Sequence, residues 1–295
     1  FYAAHLFCGR RVLTNRADTA IIVSEIYRCA AREEVNMERK RIAVVTGASS
    51  GIGKRFTETL ECAGSFDEVW VIARRLDRLE ALKETLKFPV RPVALDLSDR
   101  ESFAKYDSLL KEEDPDVALL INCSGFGKFA ATVDVPLSDN LNMVDLNCEA
   151  VMAMCQLTLP YMKSGARIIN IASVAAYQPI PYINVYAATK AFVLSFSRAL
   201  AREVRKSGIT VTAVCPFWTK TEFFNRAKKG DADDIVKKYT AMYEPEQIVK
   251  RAWRDALRGR DISRFGFVAI AQGVLAKILP HSLVMNVWQR QQKLK

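Results

Sequence analysis

The sequence predicts an α/β fold, a single domain built on a doubly wound parallel sheet with helices on both faces. Three observations predict it. Half of the 295 residues are apolar, enough to build one large core. From Arg41 to Cys215, apolar runs of strand length alternate with helix-length amphipathic stretches, the pattern of repeated βαβ units. The first apolar run closes in a Gly-rich turn, Thr46-Gly47-Ala48-Ser49-Ser50-Gly51-Ile52-Gly53, of the kind that leads a strand straight into a helix.

Taken in order, six strands are expected near 41–46, 68–73, 91–95, 117–122, 166–172 and 209–215, all parallel. The first, around Ile42-Ala43-Val44-Val45, feeds the Gly-rich turn and a helix over Ile52 to Ala63. A turn that brings backbone N–H groups onto a pyrophosphate has no room for Cβ, and the helix start offers its positive end to the anion, which accounts for Gly47, Gly51 and Gly53. A glycine motif on its own is a weak signal. The second strand, Glu68 to Ala73, runs into Arg74-Arg75. An acidic residue there would accept hydrogen bonds from an unmodified ribose, whereas a guanidinium fork matches a 2′-phosphate, so NADP(H) is favoured over NAD. Asp77 lies at the start of a helix over Arg78 to Leu86, where it either caps that helix or serves a ribose. Asp96 follows the third strand and either caps the next helix or faces the cofactor. The fifth strand, Arg167 to Ala172, presents Ser173 at its carboxyl end. After Pro245 no further strand is evident.

The chemistry concentrates on Tyr186 and Lys190. Four residues apart on a helix, they share a face with Cβ atoms about 5–6 Å apart, so an ammonium can sit beside the phenol and favour its ionised form. Ser173 and Tyr186 are joined through the loop Tyr177 to Tyr182. They can converge at the carboxyl edge of the sheet, where open α/β sheets bind ligands and where the Gly-rich turn also lies. A Tyr-x-x-x-Lys pair by itself reads as a solvated helix face, and the neighbouring features change that reading.

Thr46-Gly-x-x-x-Gly-x-Gly53, Asn122-Cys-Ser-Gly125, Asn147, Ser173 and Tyr186-x-x-x-Lys190 together resemble the short-chain dehydrogenase/reductase family, in its order and spacing, over roughly Arg39 to Glu222. The resemblance implies a Rossmann-type sheet and an NAD(P)-dependent enzyme of carbonyls and alcohols. It implies Tyr186 as proton donor, Ser173 as the group that polarises the carbonyl, Lys190 as ribose ligand and pKa depressor, and Asn147 as anchor of a proton relay. The cofactor-binding set it implies is Gly47, Ser49, Ser50, Gly51, Ile52, Gly53, Arg74, Arg75, Asp96, Leu97, Asn122, Gly125, Tyr186, Lys190, Pro216 and Thr219, with Asp96 on the adenine and Thr219 on the carboxamide. Cys123 and Ser124 depart from the family's usual Asn-Ala, and Phe217 from its Pro-Gly segment. The seventh strand and the Gly-Gly signature with which the family usually ends are not evident.

The remaining sequence bounds the rest. Seven scattered cysteines without a C-x-x-C pair read as reduced core thiols, and with only His5 and His281 no zinc site is expected. A reducing, cytoplasmic location is expected, with neither a spanning helix nor a signal peptide. Residues 1–36 are expected to be a leader ahead of the catalytic domain at 37–264, or else to hold an accessory helix over Ala20 to Val35. Of the net charge of +10, residues 250–295 carry +8, from ten Lys/Arg and two Asp. The segment 265–295 holds four of these ten cations together with the apolar run Phe265 to Pro280. It is expected either to close the substrate pocket or contact a second subunit, or to meet an anionic membrane or an acidic carrier protein. Nucleic-acid binding has no motif behind it, and a homo-oligomer is expected. Phe126, Lys128, Phe129, Tyr177 to Tyr182, Phe217, Trp218, Phe223 and Phe224 would flank the substrate, so a lipophilic ketone or aldehyde reduced with NADPH is the first expectation. A 3-oxoacyl-carrier-protein reductase docking through the basic tail is the second. A non-catalytic NADP(H) sensor is the third, disfavoured because a sensor needs no proton donor.

Overall fold

The computed structural model describes residues 39–227 and 235–294. The expectations for residues 1–36 lie outside the described residues. Seven strands form one parallel sheet in the order β3-β2-β1-β4-β5-β6-β7. They are β1 (Arg41–Thr46), β2 (Glu68–Ala73), β3 (Val90–Ala94), β4 (Asp116–Asn122), β5 (Arg167–Ile171), β6 (Thr210–Val214) and β7 (Ile262–Ser263). The helices that position the site are α1 (Gly51–Thr57), α2 (Leu76–Glu80), α3 (Glu101–Glu113), α4 (Leu137–Val144), α5 (Ala150–Thr158), α6 (Asn184–Glu203), α7 (Phe223–Ala227), α8 (Pro245–Leu257), α9 (Phe267–Ile278) and α10 (His281–Gln292).

The central strands are covered on both faces, which explains why they read as unbroken apolar runs rather than alternating ones. The period of two still sorts their side chains. Ala43 and Val45 of β1 face a core completed by Phe56 of α1, by Leu60 just after it and by Ile248, Ala252 and Trp253 of α8. Ile42 and Val44 face the opposite core, with Tyr106 and Leu110 of α3, Met154 of α5 and Leu200 of α6. Strand order reverses between β1 and β4, and the chain leaves the two strands there in opposite directions, opening a crevice at their carboxyl ends.

The structure departs from the expected elements in three places. A seventh strand is present, two residues long and parallel to Ala213 and Val214 of β6. Two residues carry no periodicity for a sequence reading to detect. The strand is held by neighbours: Cys215 N donates to the Ser263 carbonyl at 2.8 Å, and Ser263 Oγ donates to buried Asp255 of α8 at 2.8 Å. The helix expected over Ile52 to Ala63 is α1 followed by a separate 3₁₀ turn, Leu60–Ala63, and the helix expected over Arg78 to Leu86 is α2 followed by the 3₁₀ turn Ala81–Glu84. Asp77 therefore lies inside the first turn of α2, and Arg75 holds the position that precedes the helix. Among the described cysteines all five are unpaired, but Cys62 is exposed and so is not a core thiol. No described helix is long and apolar enough to cross a membrane.

Candidate active site

A cavity of about 1170 Å³ lies beyond the carboxyl ends of the strands and takes one wall from almost every loop on that edge. The Gly-rich turn forms its floor. Thr46 Oγ1 accepts hydrogen bonds from Cys123 N at 3.0 Å and Ser124 N at 3.2 Å, which locks the turn after β1 to the segment after β4. A Cβ on Gly53 would stand 2.3 Å from the Gly47 carbonyl oxygen, so only glycine lets α1 start this close to the turn. Ser49, Ser50, Arg74, Arg75, Asp96 and Leu97 line the same end. Arg75 Nη2 donates to Ser49 Oγ and Ser50 Oγ, each at 3.1 Å. Asp96 accepts from Ser98 N and Ser98 Oγ and lies 3.6 Å from Arg74. The next helix, α3, begins at Glu101, so Asp96 is not its cap.

The other end of the cavity holds Ser173, Tyr186 and Lys190. Ser173 follows β5 and caps the 3₁₀ turn Val174–Tyr177, its Oγ accepting from Ala175 N at 3.1 Å. Tyr186 stands in the first turn of α6, and its phenol is hydrogen-bonded to the Ser173 side chain. Lys190, one turn on and only 5 % exposed, donates from Nζ to the Ile171 carbonyl at 2.8 Å and lies 5.7 Å from the centroid of the Tyr186 ring. Burial pulls the Lys190 ammonium down to about 8. Burial also pushes the Tyr186 phenol up to about 12, with the Ser173 hydrogen bond opposing it. Lys190 is not among the groups that shift the phenol here, where desolvation is the largest cause. In this arrangement the ammonium donates to a backbone carbonyl and lies over the Tyr186 ring.

Asn147 is fully buried in a π-helical turn, Asp145–Glu149, between α4 and α5. Its Oδ1 accepts from Phe126 N at 3.0 Å, and its Nδ2 donates to the Phe126 carbonyl at 2.8 Å and to Thr189 Oγ1 at 3.0 Å. Such π turns recur at functional sites because they offset one residue from the helical ladder. Here the offset residue ties α6 to the segment after β4. Gly125, Pro216 and Thr219 line the cavity. The Asn122 side chain does not. It lies inside the sheet, donating to Asn170 Oδ1 at 2.9 Å, because alternation along β4 turns it inward.

Of the aromatic residues expected around the substrate, Phe126, Phe217, Trp218, Phe223 and Phe224 line the cavity. Phe129 is buried behind them, edge-on to Trp218 with ring centroids 5.9 Å apart, and Lys128 turns away to pair with Asp139 at 3.1 Å. Sequence reading missed Gly127, where a Cβ would stand 2.9 Å from both the Tyr186 and Phe223 rings. A single glycine in a loop gives no signal of such an approach. It also left open the role of 265–295. Leu275, Leu279, Leu283, Val287 and Trp288 of α9, α10 and their junction complete the apolar wall.

The fold and the placed residues define a class. The short chain dehydrogenase family model matches residues 41–232, and the chain belongs to that family. It is accordingly an NAD(P)-dependent oxidoreductase of the carbonyl/alcohol pair. The chain is 32 % identical over 255 residues to a human very-long-chain 3-oxoacyl-CoA reductase, covering 83 % of this chain and 75 % of that protein. It also resembles a short-chain dehydrogenase from Sphingobium yanoikuyae solved in complex with NADPH, at TM-score 0.68 and 25 % identity, over 83 % of this chain and 95 % of that one. An alcohol dehydrogenase from Comamonas testosteroni, described as specific for bulky-bulky ketones, superposes at TM-score 0.65 and 25 % identity, over 83 % and 93 %.

Proposed function

We propose that this chain is an NADPH-dependent reductase of a lipophilic ketone or aldehyde. The observation that carries the proposal is the position of Ser173, Tyr186 and Lys190 on one wall of a cavity whose opposite wall is aromatic and aliphatic. A carbonyl seated there has the Ser173 hydroxyl and the Tyr186 phenol as its polar partners, while Phe223, Trp218 and the α9–α10 side chains exclude water from the remainder of the substrate. With its pKa pushed up to about 12, Tyr186 keeps its proton at neutral pH and is the group that delivers it to the developing alkoxide. Ser173 holds the carbonyl oxygen in line with that phenol. Asn147 fixes the backbone of Phe126 beside the reacting end through both its amide atoms.

The turn around Gly53 with Ser49, Ser50, Arg74 and Arg75 fits a dinucleotide, because backbone lies bare at the floor and guanidinium groups flank it. When bound, the nicotinamide supplies the hydride that the carbonyl carbon receives. Arg74 and Arg75 favour the 2′-phosphorylated cofactor. Residues 265–295 complete the substrate wall, which favours the pocket-closing role over carrier or membrane docking. The human relative is a very-long-chain 3-oxoacyl-CoA reductase and the Comamonas enzyme is described as specific for bulky-bulky ketones, in keeping with this reading.

Following NADPH absorbance against steroid ketones, long-chain aldehydes and 3-oxoacyl thioesters tests the proposal. Turnover of at least one class, with NADH a poorer donor, is the expected result. Turnover confined to small polar aldehydes, or a preference for NADH, overturns it.

A further inference from the structure

The cations after β2 are already engaged. Arg75 Nη1 lies 3.1 Å from Glu222 Oε2, and Arg78 Nη1 lies 2.8 and 3.0 Å from the two Glu222 oxygens. Glu222 stands 147 positions from Arg75 in sequence, between β6 and α7. Its neighbour Thr221 closes over the Gly-rich turn, with its Cβ 3.2 Å from the place a Cβ on Gly51 would occupy. Arg75 also donates to Ser49 and Ser50. One carboxylate is therefore gathered by two guanidinium forks beside two hydroxyls, a donor set that suits a phosphate monoester. All three charged side chains are near half exposed, 42 % for Arg75, 41 % for Arg78 and 47 % for Glu222, so the pairs are weak enough to exchange partners. The arginines, Arg78 first, hold the Glu222 carboxyl below the ordinary range, so it is anionic at neutral pH.

We propose that Glu222 is an internal competitor for the 2′-phosphate and sets how strongly this chain separates NADP(H) from NAD(H). The inference rests on the NADPH reading above. A phosphate dianion and a carboxylate cannot share the same two guanidinium groups without like-charge repulsion, so phosphate binding displaces Glu222. An unmodified ribose leaves the Glu222 pairs in place. Discrimination is thereby smaller than Arg75 and Arg78 without Glu222 would produce.

Calorimetric titration of the full chain with adenosine 2′,5′-bisphosphate and with adenosine 5′-monophosphate tests this without turnover. In Glu222→Gln the bisphosphate Kd should fall about 3–10-fold, the scale of one or two exposed ion pairs, with the monophosphate changed less than about twofold. Glu222→Ala should follow it, and Arg75→Ala should weaken the bisphosphate. An unchanged or weaker bisphosphate Kd in both Glu222 variants, in a wild type that prefers the bisphosphate, overturns the competitor role alone. A wild type that binds the two probes equally overturns the NADPH reading and this inference with it.

Discussion

Tyr186 is the residue on which the chemistry turns, and its surroundings let its hydroxyl be tested alone. The ring packs 5.4 Å from Phe223, so Tyr186→Phe keeps the packing and removes only the hydroxyl. Turnover should fall by about 10²–10⁴, the usual loss for a general acid, with cofactor affinity retained. Single-turnover rates and NADPH titration check both halves, and near-wild-type turnover would remove Tyr186 from the role. Lys190 makes a different prediction, on stability. Its pKa is depressed by burial from 10.5 to about 8, so below pH 8 folding carries the full cost of a buried charge, on the order of 3 kcal/mol. Between about 8 and 10.5 the unfolded chain binds more protons than the folded one, and the cost fades as pH rises. The melting temperature of Lys190→Met relative to wild type should be highest near pH 7 and decline toward pH 10. A difference that is flat across this range would contradict the buried charge.

At the scale of elements, α8 supports the cofactor floor from behind. Trp253 is 4 % exposed, packs edge-on to Phe56 of α1 with ring centroids 5.2 Å apart, and donates from Nε1 to Thr59 Oγ1 at 2.9 Å. Trp253→Ala should cost about 3–5 kcal/mol, the range for a large aromatic removed from a core. It should also weaken NADPH binding, because the start of α1 loses its backing. Denaturant midpoints at constant slope, together with cofactor titration, check this, and a loss below about 1 kcal/mol would mean that α8 is not a buttress.

For the whole molecule, the question is what the last thirty residues do. The C-terminal half of α10 is pinned at two positions. Trp288 Nε1 donates to the Pro181 carbonyl at 3.1 Å, and buried Gln292 bonds the backbone of Lys237 and Lys238 three times, at 2.8 to 3.0 Å. The same hairpin exposes Phe267 at 84 % and Ile278 at 72 %, so its apolar residues point both into the cavity and out of the molecule. A chain ending at Arg264 should lose the aliphatic wall and leave Ala175, Ile180 and Ile183 uncovered. Substrate KM should rise or the protein should aggregate, because soluble proteins seldom tolerate an apolar patch of that size. Light scattering and steady-state kinetics check it, and a monodisperse, fully active truncated protein would overturn the pocket-closing role.

What the sequence by itself determined was everything carried by local pattern. The Val/Ile-rich runs specify strands, Gly47 to Gly53 specify the turn, and the i, i+4 spacing places Tyr186 and Lys190 on one face of α6. What only the tertiary structure decided were quantities set by neighbours far along the chain. β7 is two residues held by Asp255 and the edge of β6, below any periodic signal. Asn122 turns into the sheet because pleat, not motif, sets its direction. Gly127 matters only because the Tyr186 and Phe223 rings arrive beside it. The partner of Arg75 is Glu222, 147 residues away. The upward shift of the Tyr186 phenol comes first from burial, a property of the whole fold that spacing does not carry.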